Sequence, residues 1–229
     1  MKRKSLIIGI TTMVLFGTFV YCYVRVSPNT TTSDTAQTNE IEPTVSGKKD
    51  KILIAYFTVP ETDGVDAVAG ASRAIVDGEL FGNTEYIAKV IQEATGGDSF
   101  IIKTAHQYPG THKELIDFAK KEIDTKARPK LSTHIDNLNE YDVIFIGFPN
   151  RWYDMPMPIY TFFEEYDFSG KTIIPFCTHG GSRFSDALKT IADLEKGATV
   201  IRGLPISRDN IAEAKPSVLT WLQTIGMIN

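Results

Sequence analysis

Five short apolar runs alternate with five segments of helical periodicity between residues 51 and 229, and few folds accommodate that order. The runs cover residues 52–57, 99–102, 143–148, 173–177 and 199–201. The third is apolar without interruption, as a strand covered on both faces requires. Between the runs, apolar residues recur at the spacing of one helix face. They are Ile87, Val90, Ile91 and Ala94; Leu115, Ile116, Ala119 and Ile123; Ile159, Phe162, Phe163 and Tyr166, with Asp154 placed as a cap; Leu188, Ile191 and Ala192; and Val218, Trp221, Leu222 and Ile225, closed by Gly226. This alternation predicts an α/β fold: a three-layer, doubly wound, five-stranded parallel sheet. Ligands of such sheets sit beyond the carboxyl ends of the strands, where the strand order reverses. The segments to inspect follow strands one, three and four.

After strand one comes Thr58. An insertion over residues 59–81 follows, and then Gly82-Asn83-Thr84 opens the first helix. A glycine-containing turn at a helix start aims N–H groups and the positive helix end at one point, which favours an anion such as phosphate. The same residues also serve as an ordinary helix cap. Within the insertion, Asp77-Gly78 between apolar residues predicts a tight hairpin. Its acids, Glu61, Asp63, Asp66, Asp77 and Glu79, would repel phosphate and are expected to face solvent. After strand three comes Pro149-Asn150-Arg151-Trp152-Tyr153-Asp154. An exposed indole at a strand end invites a flat ring as its cover. After strand four comes Thr178-His179-Gly180-Gly181-Ser182-Arg183-Phe184, whose paired glycines let backbone approach a planar ligand closely. Trp152 in the core and a plain Gly180-Gly181 turn are the competing readings. The placement of all three segments at neighbouring strand ends favours a shared site.

Taken together, Tyr56-Phe57-Thr58, Gly82-Asn83-Thr84, Pro149-Asn150-Arg151-Trp152 and Thr178-His179-Gly180-Gly181-Ser182 resemble the flavodoxin-like family, in its branch of small bacterial flavodoxin-domain proteins. The resemblance covers residues 51–229. It implies strand order 2-1-3-4-5 and bound flavin mononucleotide (FMN). It places the phosphate on Thr58, Gly82, Asn83 and Thr84, held by uncharged donors. It places the flavin ring between Pro149, Asn150, Arg151, Trp152 and Tyr153 on one side and Thr178, His179, Gly180, Gly181 and Phe184 on the other. His179 is then positioned to bias the charge on the reduced ring. The sequence departs from the family pattern in splitting the phosphate loop and in having no glycine between Pro149 and Asp154, where Asn150 best tolerates unusual backbone angles.

The function expected is FMN-based electron transfer to a redox partner protein or small acceptor. The alternatives are an NAD(P)H-dependent flavin or quinone reductase, a Ser182/His179 hydrolase, and an interaction domain without ligand. The hydrolase pattern fails because Phe184 stands where a nucleophile elbow needs glycine. A phospho-receiver role fails because Tyr56-Phe57-Thr58 lacks the acidic pair that would hold a metal. Net charge −4 argues against nucleic acid, and Cys22 and Cys177 suggest neither a disulfide nor a metal site. Lys2-Arg3-Lys4 precedes an uncharged stretch, residues 6–24, that spans roughly 28 Å as a helix. Residues 1–24 are therefore expected to be a membrane anchor, the alternative being a signal sequence whose cleavage releases a secreted protein, with residues 25–50 a polar, disordered tether and the domain outside the cell membrane.

Overall fold

The computed structural model describes residues 50–62 and 72–229, all within one compact unit spanning residues 44–229. The expected anchor, nearly all of the expected tether, and Asp63 and Asp66 lie outside the described residues. Among the described residues no helix is long and apolar enough to cross a membrane, and no group of metal-binding side chains assembles.

In chain order the elements are β1 (Ile52–Tyr56), β2 (Arg73–Val76), β3 (Glu79–Gly82), α1 (Asn83–Thr95), β4 (Asp98–Ile101), α2 (His112–Asp124), β5 (Val143–Pro149), α3 (Met157–Glu165), β6 (Thr172–His179), α4 (Ala187–Leu194), β7 (Thr199–Val200), β8 (Leu204–Ser207) and α5 (Lys215–Thr224). The main sheet runs β4-β1-β5-β6-β7, with β8 also on β6, and every pairing in it is parallel. Taken as principal strands, this is the expected order 2-1-3-4-5.

The fifth strand differs from expectation. It is two pieces, of which β7 pairs with Thr172 and Ile173 and β8 with residues from Phe176 to His179. Pro175 falls in the gap between them, while its pairing with Ile146 of β5 continues on the other side. A strand proline has no N–H to give, so one neighbour must lose its ladder there. Gly203 fills the gap, and a Cβ on it would come within 2.0 Å of the Pro175 carbonyl oxygen.

Two-residue alternation divides the strands between two cores. Leu53, Ala55 and Phe57 join Leu115, Phe162 and Ile191, whereas Ile52, Ile54 and Tyr56 join Ile87, Ile91, Val218 and Leu222. Helices α2, α3 and α4 therefore cover one face and α1 and α5 the other. Each fully buried side chain of this kind contributes about 1.5–3 kcal/mol. Because all principal strands are parallel, the ends of β1, β5 and β6 share one rim. Phe57 N–H donates to Gly147 O (2.9 Å) and Asn150 N–H to Thr178 O (2.8 Å), so the backbone ties the three ends together.

Candidate functional site

The insertion closes on itself. β2 and β3 form the expected antiparallel hairpin around Asp77 and Gly78, both left-handed at φ 52° and 84°. It returns the chain to Gly82 beside Thr58. A Cβ at position 82 would lie 2.3 Å from Thr58 Oγ1, so any other residue would have to displace that hydroxyl. The corner expected of a continuous loop is thus rebuilt from two distant segments. It is more enclosed than the sequence suggests: Asn83 and Thr84 are each 1% exposed. Asn83 N–H donates to Ser72 O (2.8 Å), Gly82 N–H to the Glu85 carboxylate (3.0 Å), and the Thr84 and Thr178 hydroxyls bond at 3.0 Å. The picture of wholly open N–H groups is corrected accordingly, since the end of the insertion lies over them. The corner is also not free of charge. Arg73 pairs directly with Gly82, is 8% exposed, and its Nε has no hydrogen-bond partner among the described residues.

At the end of β5, Arg151 and Asp154 exchange two backbone hydrogen bonds of 3.0 Å, leaving Trp152 and Tyr153 as the two central residues of a tight turn. Their φ angles are 52° and 66°. Asn150, the residue that tolerates unusual backbone angles, does not adopt a positive φ; its amide donates to Arg183 O (2.7 Å). Asn and Gly suit such turns, whereas bulky residues there cost on the order of 1–3 kcal/mol each. The turn holds both aromatics out of the core, Trp152 46% and Tyr153 72% exposed. The indole Nε1 donates to Ile116 O of α2 (3.0 Å), with the Lys120 ammonium near its ring. Asp154 does not cap α3. It accepts from Met155 N–H (2.7 Å) and the Tyr160 hydroxyl (2.9 Å), which fixes the turn to the helix.

Arg151 turns inward beneath this turn. Burial lowers the guanidinium pKa, opposed by Glu61, Tyr108 and Glu122 around it, and its Nη1 has no hydrogen-bond partner among the described residues. Glu61 overturns an expectation. Asp77 and Glu79 face solvent, but Glu61 is 3% exposed and sits 3.0 Å from His112 Nδ1. Its attraction to Arg151 and contact with His112 offset the cost of burying a carboxylate.

At the end of β6, Thr178 is buried and His179, Gly180 and Gly181 approach the surface. His179 Nδ1 accepts from Gly181 N–H (2.9 Å), which puts the proton of the neutral ring on Nε2. Burial and the neighbouring Arg183 lower the His179 pKa, against Asp209, so the ring is neutral near pH 7 and does not supply a fixed charge. No hydrogen bond joins His179 to Ser182 among the described residues. Phe184 is corrected: its ring is buried against Phe148 in the core, not presented at the rim.

A cavity of about 220 Å³ lies between the segments, with Pro149, Arg151, Trp152, His179, Gly180 and Arg208 on its walls. A larger groove, about 1010 Å³, runs between α4, β8 and α5 and takes in Ser182, Arg183 and Phe184 of the loop after β6. The smaller cavity has the convergent polar groups expected of a binding site. Arg73, His112 and Arg208 did not stand out in the sequence as site candidates, and Glu61 stood out only as an acid expected to face solvent. For Arg73 the signal existed, because a two-residue turn at Asp77-Gly78 fixes its pairing with Gly82.

A family model described as flavodoxin matches residues 75–225. Flavodoxin 1 of Escherichia coli (strain K12) is 29% identical over 145 residues, covering 59% of this chain and 68% of its own. The crystal structure of a Bacteroides uniformis protein provisionally classed as a flavoprotein superposes with TM-score 0.60 at 30% identity, over 77% of this chain and 99% of that one. A Lactobacillus acidophilus flavoprotein solved in complex with FMN gives TM-score 0.51 at 19% identity, over 72% and 97%, a likeness of fold.

Proposed function

This chain belongs to the flavodoxin family, and on that premise we propose that it binds FMN and transfers electrons through it. The residues present fit that group. The observation that carries the reading is a pair of arginines, each with a buried N–H that has no hydrogen-bond partner among the described residues: the buried Arg73 opposite Gly82 and the half-buried Arg151 beside the rim cavity. A buried cation without a hydrogen-bonded partner costs several kcal/mol, which an anionic ligand offsets. Thr58, Thr84 and the start of α1 would hold the phosphate, with the Ser72 carbonyl giving up the Asn83 N–H. Trp152 would cover the ring, and the 178–181 backbone would meet its edge.

When bound, FMN supplies one- and two-electron redox chemistry. The chain's part is to orient the ring, keep water from its inner edge, and set the local charge. Arg151 favours extra negative charge in the cavity, while Glu61 and Glu122 temper that effect. The buried cation also supports a second reading, a reductase that accepts hydride from a nicotinamide and passes electrons to a quinone or similar acceptor. An outward-facing location at the cell membrane remains part of the proposal through residues 6–24 alone.

The test is to purify the full chain, record its visible spectrum with and without added FMN, and then follow NAD(P)H consumption. A flavin spectrum is expected. Rapid NAD(P)H oxidation selects the reductase, its absence the carrier, and a chain that stays colourless with excess FMN contradicts both.

A further inference from the structure

Among the described residues of the hairpin, Arg73 is the one charged residue that is buried. It is 8% exposed, and it makes no ion pair among the described residues. Its direction follows from register. Residues directly opposite in an antiparallel pair point to the same face, with Cβ atoms about 4.5–5.5 Å apart. Arg73 is opposite Gly82, and the Cβ direction of Gly82 leads to Thr58 Oγ1. Arg73 therefore leaves the hairpin on the side of Thr58. The other face is occupied by Ala74, Val76 and Phe81, which pack onto the α1 core. The start of α1 meets the same corner: its N-cap is Gly82, which has no side chain to cap with, and Asn83 N–H is bonded to Ser72 O. Of the acids by this corner, Glu85 is tied to Gly82 N–H, and Glu61, whose N–H donates to Ser72 Oγ, bonds His112.

We propose that Arg73 is a phosphate-recognition residue, so that the insertion is a binding element which selects a terminal phosphate monoester. This rests on the FMN reading and adds a cation to a phosphate corner whose other donors, Thr58, Asn83 and Thr84, are uncharged. A helix start and a buried guanidinium reinforce each other: the first offers fixed partial charge, the second a full charge with forked donors matched to phosphate oxygens. A dianion at this point restores the solvation that Arg73 loses on burial.

The experiment is calorimetric titration of the purified full chain with FMN and with riboflavin, which lacks the phosphate, for wild type, Arg73→Gln and Arg73→Lys. Losing one member of a buried charge pair should weaken FMN binding by about 30-fold or more in Arg73→Gln. Riboflavin binding should stay at the wild-type level. Arg73→Lys keeps the charge but loses the fork, and should fall between the two for FMN with riboflavin unchanged. Should Arg73→Gln not fold, Arg73→Lys decides the matter by the same comparison. Variants that bind FMN like wild type, or that lose FMN and riboflavin equally, overturn the proposal and leave the FMN reading standing. A wild-type chain that binds no FMN overturns both.

Discussion

Arg151 and Tyr153 sit two residues apart and work through different physics. Arg151 places a cation under the rim. Replacing it by Gln should make the midpoint potential of bound FMN more negative, because the reduced ring loses a favourable charge while Glu61 and Glu122 remain. A potential unchanged in Arg151→Gln would refute that assignment. Tyr153 gains little burial from its place and holds left-handed backbone at φ 66°. Tyr153→Gly should raise unfolding free energy by about 1 kcal/mol, read by denaturant titration. His179 gives a pH signature. Its folded pKa lies below the ordinary histidine value, so the folded state binds fewer protons than the unfolded one. Its stabilising contribution is present above about pH 6.5 and is lost as pH falls through the folded value. His179→Asn should flatten that part of the stability–pH curve. These residues were visible in the sequence as rim candidates. Their roles were not, since protonation and backbone angle depend on neighbours such as Gly181, Arg183 and Asp154 that only the fold brings close.

The hairpin and the broken fifth strand show what an element adds to its residues. Asp77-Gly78 announced the hairpin, and the hairpin fixed Arg73 opposite Gly82. The burial of Glu61 was not legible, because its partners His112 and Arg151 are distant in sequence. Asp154 looked like a helix cap by spacing, yet Tyr160 takes its carboxylate. Phe184 looked like part of a ligand loop, yet a 179–185 turn with Arg183 and Ser185 left-handed tucks its ring against Phe148. Pro175 in a buried strand was the one available hint that the fifth strand would break. Gly203→Ala should destabilise the fold by about 1–3 kcal/mol, because its Cβ meets the Pro175 carbonyl. FMN affinity should be retained in that variant, since Gly203 stands away from the rim.

For the whole molecule, the fold class followed from alternation and periodicity, because a doubly wound sheet needs an apolar stripe from every element and leaves few other topologies, whereas the strand order came from the family resemblance. The parallel sheet then puts the ends of β1, β5 and β6 on one edge without further instruction, which is why four short motifs far apart in the chain meet at one rim. What the sequence left open was enclosure: how far the insertion covers the corner, and which charges it buries there. The account stands on one arrangement, a phosphate at the Thr58–Gly82–Thr84 corner with its ring at the Trp152 turn. A crystal structure of the chain grown with FMN tests it most directly. The account predicts the phosphate against Thr58, Arg73 and the first turn of α1, the Ser72 carbonyl displaced, and the ring between Trp152 and the 178–181 backbone. FMN lodged instead in the groove between α4, β8 and α5, or missing at saturating concentration, would contradict it.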